Sequence, residues 1–128
     1  ENVFVNHPAK FLPNLANFLS RFPTQNNPSC RRHFTKILAL ITHKKASAEA
    51  KTFIQNYDTD SVVATVFEWL IDEKVPVAIK SHCLNILANL TTKHHWIKEE
   101  LLATIDYLVD KESIAFYAKV KQIRKQLK

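Results

Sequence analysis

The side chains with the chemistry to act in this chain are six histidines, two cysteines, two tryptophans and a surplus of cations. His94 and His95 are adjacent, so on a helix they point about 100° apart and do not converge on one metal ion. No His-x-x-x-His pair occurs, and Cys30 and Cys83 make neither a zinc motif nor a disulfide framework. Two unpaired thiols fit a reduced compartment, and a cytoplasmic location is the expectation. Glu99 with Glu100, and Asp58 with Asp60, read as helix-start carboxylates that complement the helix dipole. Trp69, between Phe67 and Leu70, reads as core, and Trp96 as a packing residue that staples the Lys93-His94-His95 turn. Neither a Ser-His-Asp nor a Cys-His arrangement has local support. The expectation is no catalytic residue, no metal, no cofactor and no enzyme activity.

The cations offer the sharper candidate. Lys and Arg number 18 against 12 Asp and Glu, giving a net charge of +6. This balance favours acidic partners, nucleic acid among them. Lys44 with Lys45, and Lys93 beside two histidines, fall at corresponding helix ends, and Lys121, Arg124, Lys125 and Lys128 share a quarter turn of the last helix. These seven residues form the candidate basic surface. A solvated, solubilising face is the competing reading of the same lysines. Apart from Tyr117, no aromatic interleaves them, so base stacking has little support.

Something must position these groups, and the composition says that it is helical. The chain has 128 residues, 46% of them apolar, and contains no glycine. Without glycine there is no phosphate loop, no dinucleotide fingerprint and no G-x-S-x-G elbow. Tight hairpins, which want glycine at positive φ, are disfavoured too. No apolar run approaches the ~20 residues of a membrane span. The first residues lack the basic start and apolar run of a signal peptide, and the chain has no Met, so the natural start is expected to lie upstream.

Prolines at 8, 13, 23, 28 and 76 punctuate apolar residues at helical spacing. The spacing predicts helices over 9–22, from Pro28 to Thr42, over 46–57, from the Asp58-Thr59-Asp60-Ser61 cap cluster onward, from Pro76 to Leu90, from Trp96 to Leu108, and over 113–128. Sliding the chain by 49 residues aligns His33-Phe34-Thr35-Lys36-Ile37-Leu38-Ala39-Leu40-Ile41-Thr42 with His82-Cys83-Leu84-Asn85-Ile86-Leu87-Ala88-Asn89-Leu90-Thr91, identical at His, Ile, Leu, Ala and Thr. The two segments are therefore read as equivalent rungs of one stacked ladder.

The stretch from Asp72 to Leu90 resembles the first helix of a HEAT repeat, with Asp72, Pro76, Ile79, Lys80, Cys83, Leu87 and Leu90 in the positions of that pattern. Cys30, Arg31, Phe34, Leu38 and Ile41 form a weaker copy, with Cys30 where the pattern has an aliphatic residue and Phe34 where it has a small one. The resemblance implies an all-α, right-handed α-α superhelix, a HEAT- or armadillo-like solenoid of six or seven helices. Its expected layout is a single domain over 1–128, with a terminal helix 9–22, repeats 28–73 and 76–109, and a capping helix 113–128. The resemblance also implies that the basic position pairs with an aspartate of a neighbouring turn, which makes Asp72 and Lys80 the candidate register pair. The function implied is a non-catalytic scaffold that binds a protein partner through its helical surface, with no membrane. The alternative is a nucleic-acid-binding module using the basic edge and the last helix. A HEAT-like DNA repair enzyme or a lyase fragment is the minor alternative. Short HEAT-like chains of this kind are sometimes labelled adenylosuccinate lyase, but the Gly-Ser-Ser-x-Met-Pro loop of that superfamily cannot exist in a chain without Gly or Met.

Overall fold

A computed structural model describes residues 15–127, so residues 9–14 of the expected first helix, and Lys128, lie outside the described residues. Seven α-helices and no strand are found among the described residues: α1 Leu15–Arg21, α2 Pro28–Thr42, α3 Ala48–Asn56, α4 Asp60–Ile71, α5 Val77–Asn89, α6 Ile97–Leu108 and α7 Ile114–Gln126. Short 3-10 turns follow α1 at Phe22–Thr24 and α5 at Leu90–Thr92.

Local chemistry sets most of the starts. Asn27 caps α2 by accepting from the backbone N–H of Ser29 (2.8 Å) and Cys30 (3.3 Å), with Pro28 in the first turn where its missing N–H costs nothing. Ser47 caps α3 from Ala50 N–H (3.2 Å) and Ser113 caps α7 from Phe116 N–H (3.4 Å). The cap cluster before α4 works differently. The Asp58 carboxylate accepts from Asp60 N–H (3.1 Å), while Thr59 is buried and its hydroxyl is bonded to His94 Nε2 (2.7 Å). The break between α3 and α4 therefore falls at Tyr57–Thr59, and the 94–96 turn is fastened to it.

Helix α5 is the centre of the molecule, with α2, α4, α6 and α7 all packed on it. Ile79, Leu84, Ile86 and Leu87 are each at most 2% exposed, and burying one such side chain contributes roughly 1.5–3 kcal/mol. The repeated segments bury equivalent residues: Ile37, Leu38 and Ile41 on α2, and Ile86, Leu87 and Leu90 at and after the end of α5.

Three helices run side by side in one direction. Asn89 Nδ2, at the end of α5, donates to Ala39 O (3.2 Å) and Thr42 Oγ1 (3.1 Å) at the end of α2. Gln126 Nε2, at the end of α7, donates to Asn89 Oδ1 (3.4 Å). At the opposite end, Lys80 Nζ in the first turns of α5 is bonded to Glu112, just before α7. The carboxyl ends of α2, α5 and α7 thus meet at one edge.

The Lys80 contact corrects the register pair expected from sequence. Lys80 is 1% exposed and its partner is Glu112 of the α6–α7 loop, not Asp72. The Asp72 carboxylate instead accepts from Lys74 N–H (2.9 Å) and shapes the turn after α4. Trp96 also departs from expectation. It stacks on Phe67 with ring centroids 5.9 Å apart but stays 54% exposed. Trp69 is buried as expected, stacked on Phe22 (4.9 Å) and covered on one side by the Arg31 guanidinium, 4.6 Å from the ring. No helix among the described residues is long and apolar enough to cross a membrane.

Candidate functional site: a carboxylate-free cleft at the joined helix ends

Helices α2, α5 and α7 contain no aspartate or glutamate, yet they carry Arg31, Arg32, Lys36, Lys80, Lys119, Lys121, Arg124 and Lys125. Every Asp and Glu among the described residues lies on α3, α4, α6 or a connecting loop. The charge is therefore sorted by helix, and the three parallel helices form a cationic row.

Where the carboxyl ends of that row meet, α3 closes one side of a cleft of about 840 Å³. Lys44, Lys51, Lys93 and Lys125 line it together with Asn89 and Gln126, and no carboxylate side chain among the described residues reaches it. A second groove of about 370 Å³ runs along the row between Lys36 and Leu40 of α2, His82 and Asn85 of α5, and Lys119 of α7. His43, Asn89 and Gln126 belong to both, so the two form one continuous surface.

The fold brings Lys44, Lys93 and Lys125 of the expected basic surface into the first cleft and leaves Lys45, Lys121 and Arg124 out of both grooves, while Lys128 lies outside the described residues. Lys45 is exposed in the loop after α2, where its backbone N–H donates to His43 Nδ1 (3.0 Å). Lys121 lies over the Tyr117 ring (5.1 Å), and Arg124 donates to Asp106 Oδ1 of α6 (2.8 Å). Of the expected ridge on the last helix, Arg124 is thus paired with Asp106, Lys121 lies over Tyr117, and Lys125 reaches the cleft.

Lys93 has a structural task within the cleft. Its ammonium donates to Ile54 O (2.7 Å) and Tyr57 O, the carbonyls that α3 leaves unpaired at its carboxyl end. Burial pushes the Lys93 pKa below its ordinary value, opposed by the charges of Asp58 and Asp60. Burial lowers the Lys119 pKa as well. Three groups that the sequence did not single out, Lys51, Gln122 and Gln126, complete the walls. Glutamines carry no spacing signature, and Lys51 sits on the least regular helix pattern of the chain, so only the fold makes them visible.

Two hydroxyls that line the cleft are engaged within their own helices. The hydroxyls of Thr42 and Thr91 donate to Leu38 O and Ala88 O of their own helices, both at 2.8 Å. Its ammonium groups present donors to anionic oxygens, and its amides offer both donors and acceptors. Comparison with protein-family models, with curated proteins and with solved structures gives no match.

Proposed function

We propose that this chain is a non-catalytic helical scaffold, a HEAT- or armadillo-like solenoid, that binds an acidic protein partner along the row α2–α5–α7. The observation that carries the reading is that, among the described residues, no carboxylate side chain lies on three adjacent parallel helices or lines either groove along them. A surface of one sign steers and orients a partner of the other sign, and the bonded amides Asn89 and Gln126 tie the three helix ends together. The parallel setting of α2, α5 and α7, with α4 and α6 as the returning helices, supports the solenoid reading.

The test is binding of a fluorescein-labelled glutamate-rich peptide, followed by anisotropy. Binding is expected at low salt and should weaken several-fold by ~0.2 M. Reversing Lys44, Lys51 and Lys125 to Glu should weaken it at least tenfold, with helical content unchanged. Peptide that fails to bind at low salt, or binds the reversed variant equally well, overturns the proposal.

The same cations favour a second reading, a nucleic-acid module. Each phosphate that they neutralise would steepen the salt dependence by about 0.9 log unit. Labelled duplex that outcompetes the peptide, and that is lost on replacing Lys121, Arg124 and Lys125 by Ala, would move the function there.

A further inference from the structure

Outside the two grooves the structure leaves two apolar patches uncovered, and they carry opposite charge. On the first, Ile71 is 50% and Trp96 54% exposed. Phe67 connects them, stacked on Trp96 at 5.9 Å and one helical turn before Ile71 on α4. Exposed carboxylates surround this apolar strip: Glu68 on α4, and Glu99 and Glu100 one turn after Trp96 on α6. On the second patch, Ile114 is 89% and Tyr117 43% exposed. They share one stripe of α7 with Lys121, spaced i, i+3 and i+7, on the side away from the buried Phe116, Val120 and Ile123. The Lys121 ammonium lies 5.1 Å over the Tyr117 ring, so the cation is held within the apolar stripe.

Single exposed hydrophobics are ordinary on a protein surface. Here four of the five large exposed ones fall into two clusters, one rimmed by carboxylates and one carrying a lysine. We propose that the chain associates with itself head to tail, the Ile114–Tyr117–Lys121 stripe of one copy docking on the Phe67–Ile71–Trp96 patch of the next. Pairing each patch with its own copy in another molecule would oppose like charges, so the contact is heterologous. Each docked copy leaves one patch of each kind free, which permits growth into a short filament or a ring. The grooves along α2, α5 and α7 stay open in this arrangement, so an assembled chain would present several of them.

The experiment is sedimentation velocity of the whole chain against concentration at ~0.02 M and ~0.5 M salt. Mass above the monomer is expected at low salt, with partial dissociation at high salt. W96A and E99K/E100K block the receiving patch, and I114E and K121E block the docking stripe. Each variant is expected to be monomeric with an unchanged helical spectrum, since the altered side chains are exposed. An equimolar mixture of E99K/E100K with I114E should recover dimers and nothing larger, because only one productive contact remains. K44E/K51E should leave association intact while weakening the acidic peptide, which separates this contact from the proposed partner site. A chain that is monomeric at low salt and high concentration overturns the proposal and leaves the two patches to other proteins. Association that survives both W96A and I114E, or a mixture that stays monomeric, overturns it equally.

Discussion

Removing the carboxylate of Glu112 tests the ion pair that ties α5 to the start of α7. Lys80 is 1% exposed, and Glu112, itself 17% exposed at the side chain, is its partner. Glu112→Ala strands an ammonium where water has little access, and breaking a fully buried pair in this way costs ~3–5 kcal/mol. Glu112 is open on one side, so some water reaches the gap and the expected cost falls to about 2–3 kcal/mol. For a chain of this size, that lowers the melting temperature by roughly 6–15 °C. Lys80→Met keeps the buried stem, removes the charge and lets Glu112 turn to solvent, so it should cost under ~1 kcal/mol. The double variant should then resemble Lys80→Met, leaving a coupling of about 2 kcal/mol. Asp72→Ala is the control, since it loses only the turn bond to Lys74 N–H and about 0.5–1.5 kcal/mol. Urea unfolding of the four proteins decides the matter. If Asp72→Ala costs more than Glu112→Ala, or the two single changes add, the geometry assigned to Lys80 is wrong.

Three further outcomes follow from burial and bonding. Burial pushes the Cys83 thiol up to about 12 while Cys30 is half-buried, so a disulfide-exchange reagent in mildly alkaline buffer should titrate Cys30 natively and Cys83 only after unfolding; equal native rates would contradict the packing. Lys93→Met should cost about 1–2 kcal/mol by uncapping α3. Hydrogen exchange should then quicken at residues 48–56 and not at 114–126, and uniform quickening would count against a local cap. The Lys93 pKa is lowered in the fold, so the unfolded chain binds the extra proton and this residue makes stability rise with pH toward 10.5, a slope that the Met variant should lack in urea midpoints. Iodide should quench the emission of Trp96, which is 54% exposed, and leave that of Trp69, at 2%, nearly intact. Trp96→Phe should therefore abolish the quenchable fraction, and retention of that fraction would refute the assignment.

The helices were legible because their signals are local. Asn27-Pro28, Ser47 and Ser113 each cap within three residues, and the 49-residue repeat marks the same buried positions on α2 and α5. The partners were not legible, because they depend on which way a loop turns. Asp72 and Glu112 are both carboxylates beside a turn, and only the fold spends the first on Lys74 N–H and delivers the second to Lys80. Lys93 was read as part of an edge by its position in the repeat. Its long stem instead reaches the carbonyl end of α3, which no pattern in residues 46–57 announces. The candidate cleft was half legible in the same sense, through Lys44, Lys93 and Lys125, while its amide walls wait on the meeting of three helix ends.

That meeting also supplies a second explanation for the lysines. Three parallel helices bring three negative dipole ends together, so cations at that edge each stabilise the fold by about 0.3–1 kcal/mol. Lys44 and Lys125 sit where they would contribute, and Lys93 does the same for the carboxyl end of α3. The dipole argument requires the opposite sign at the amino ends, and α3, α4 and α6 follow it with Glu49, Asp60, and Glu99 with Glu100 in their first turns. Helices α2, α5 and α7 have no acid in theirs, although Glu112 stands just before α7. Arg31, at the end of the first turn of α2, has a packing role against Trp69 and Gln25 O. The dipole rule thus accounts for the acids that start α3, α4 and α6, and it gives the lysines at the joined ends of the row a stabilising role beside the proposed binding one.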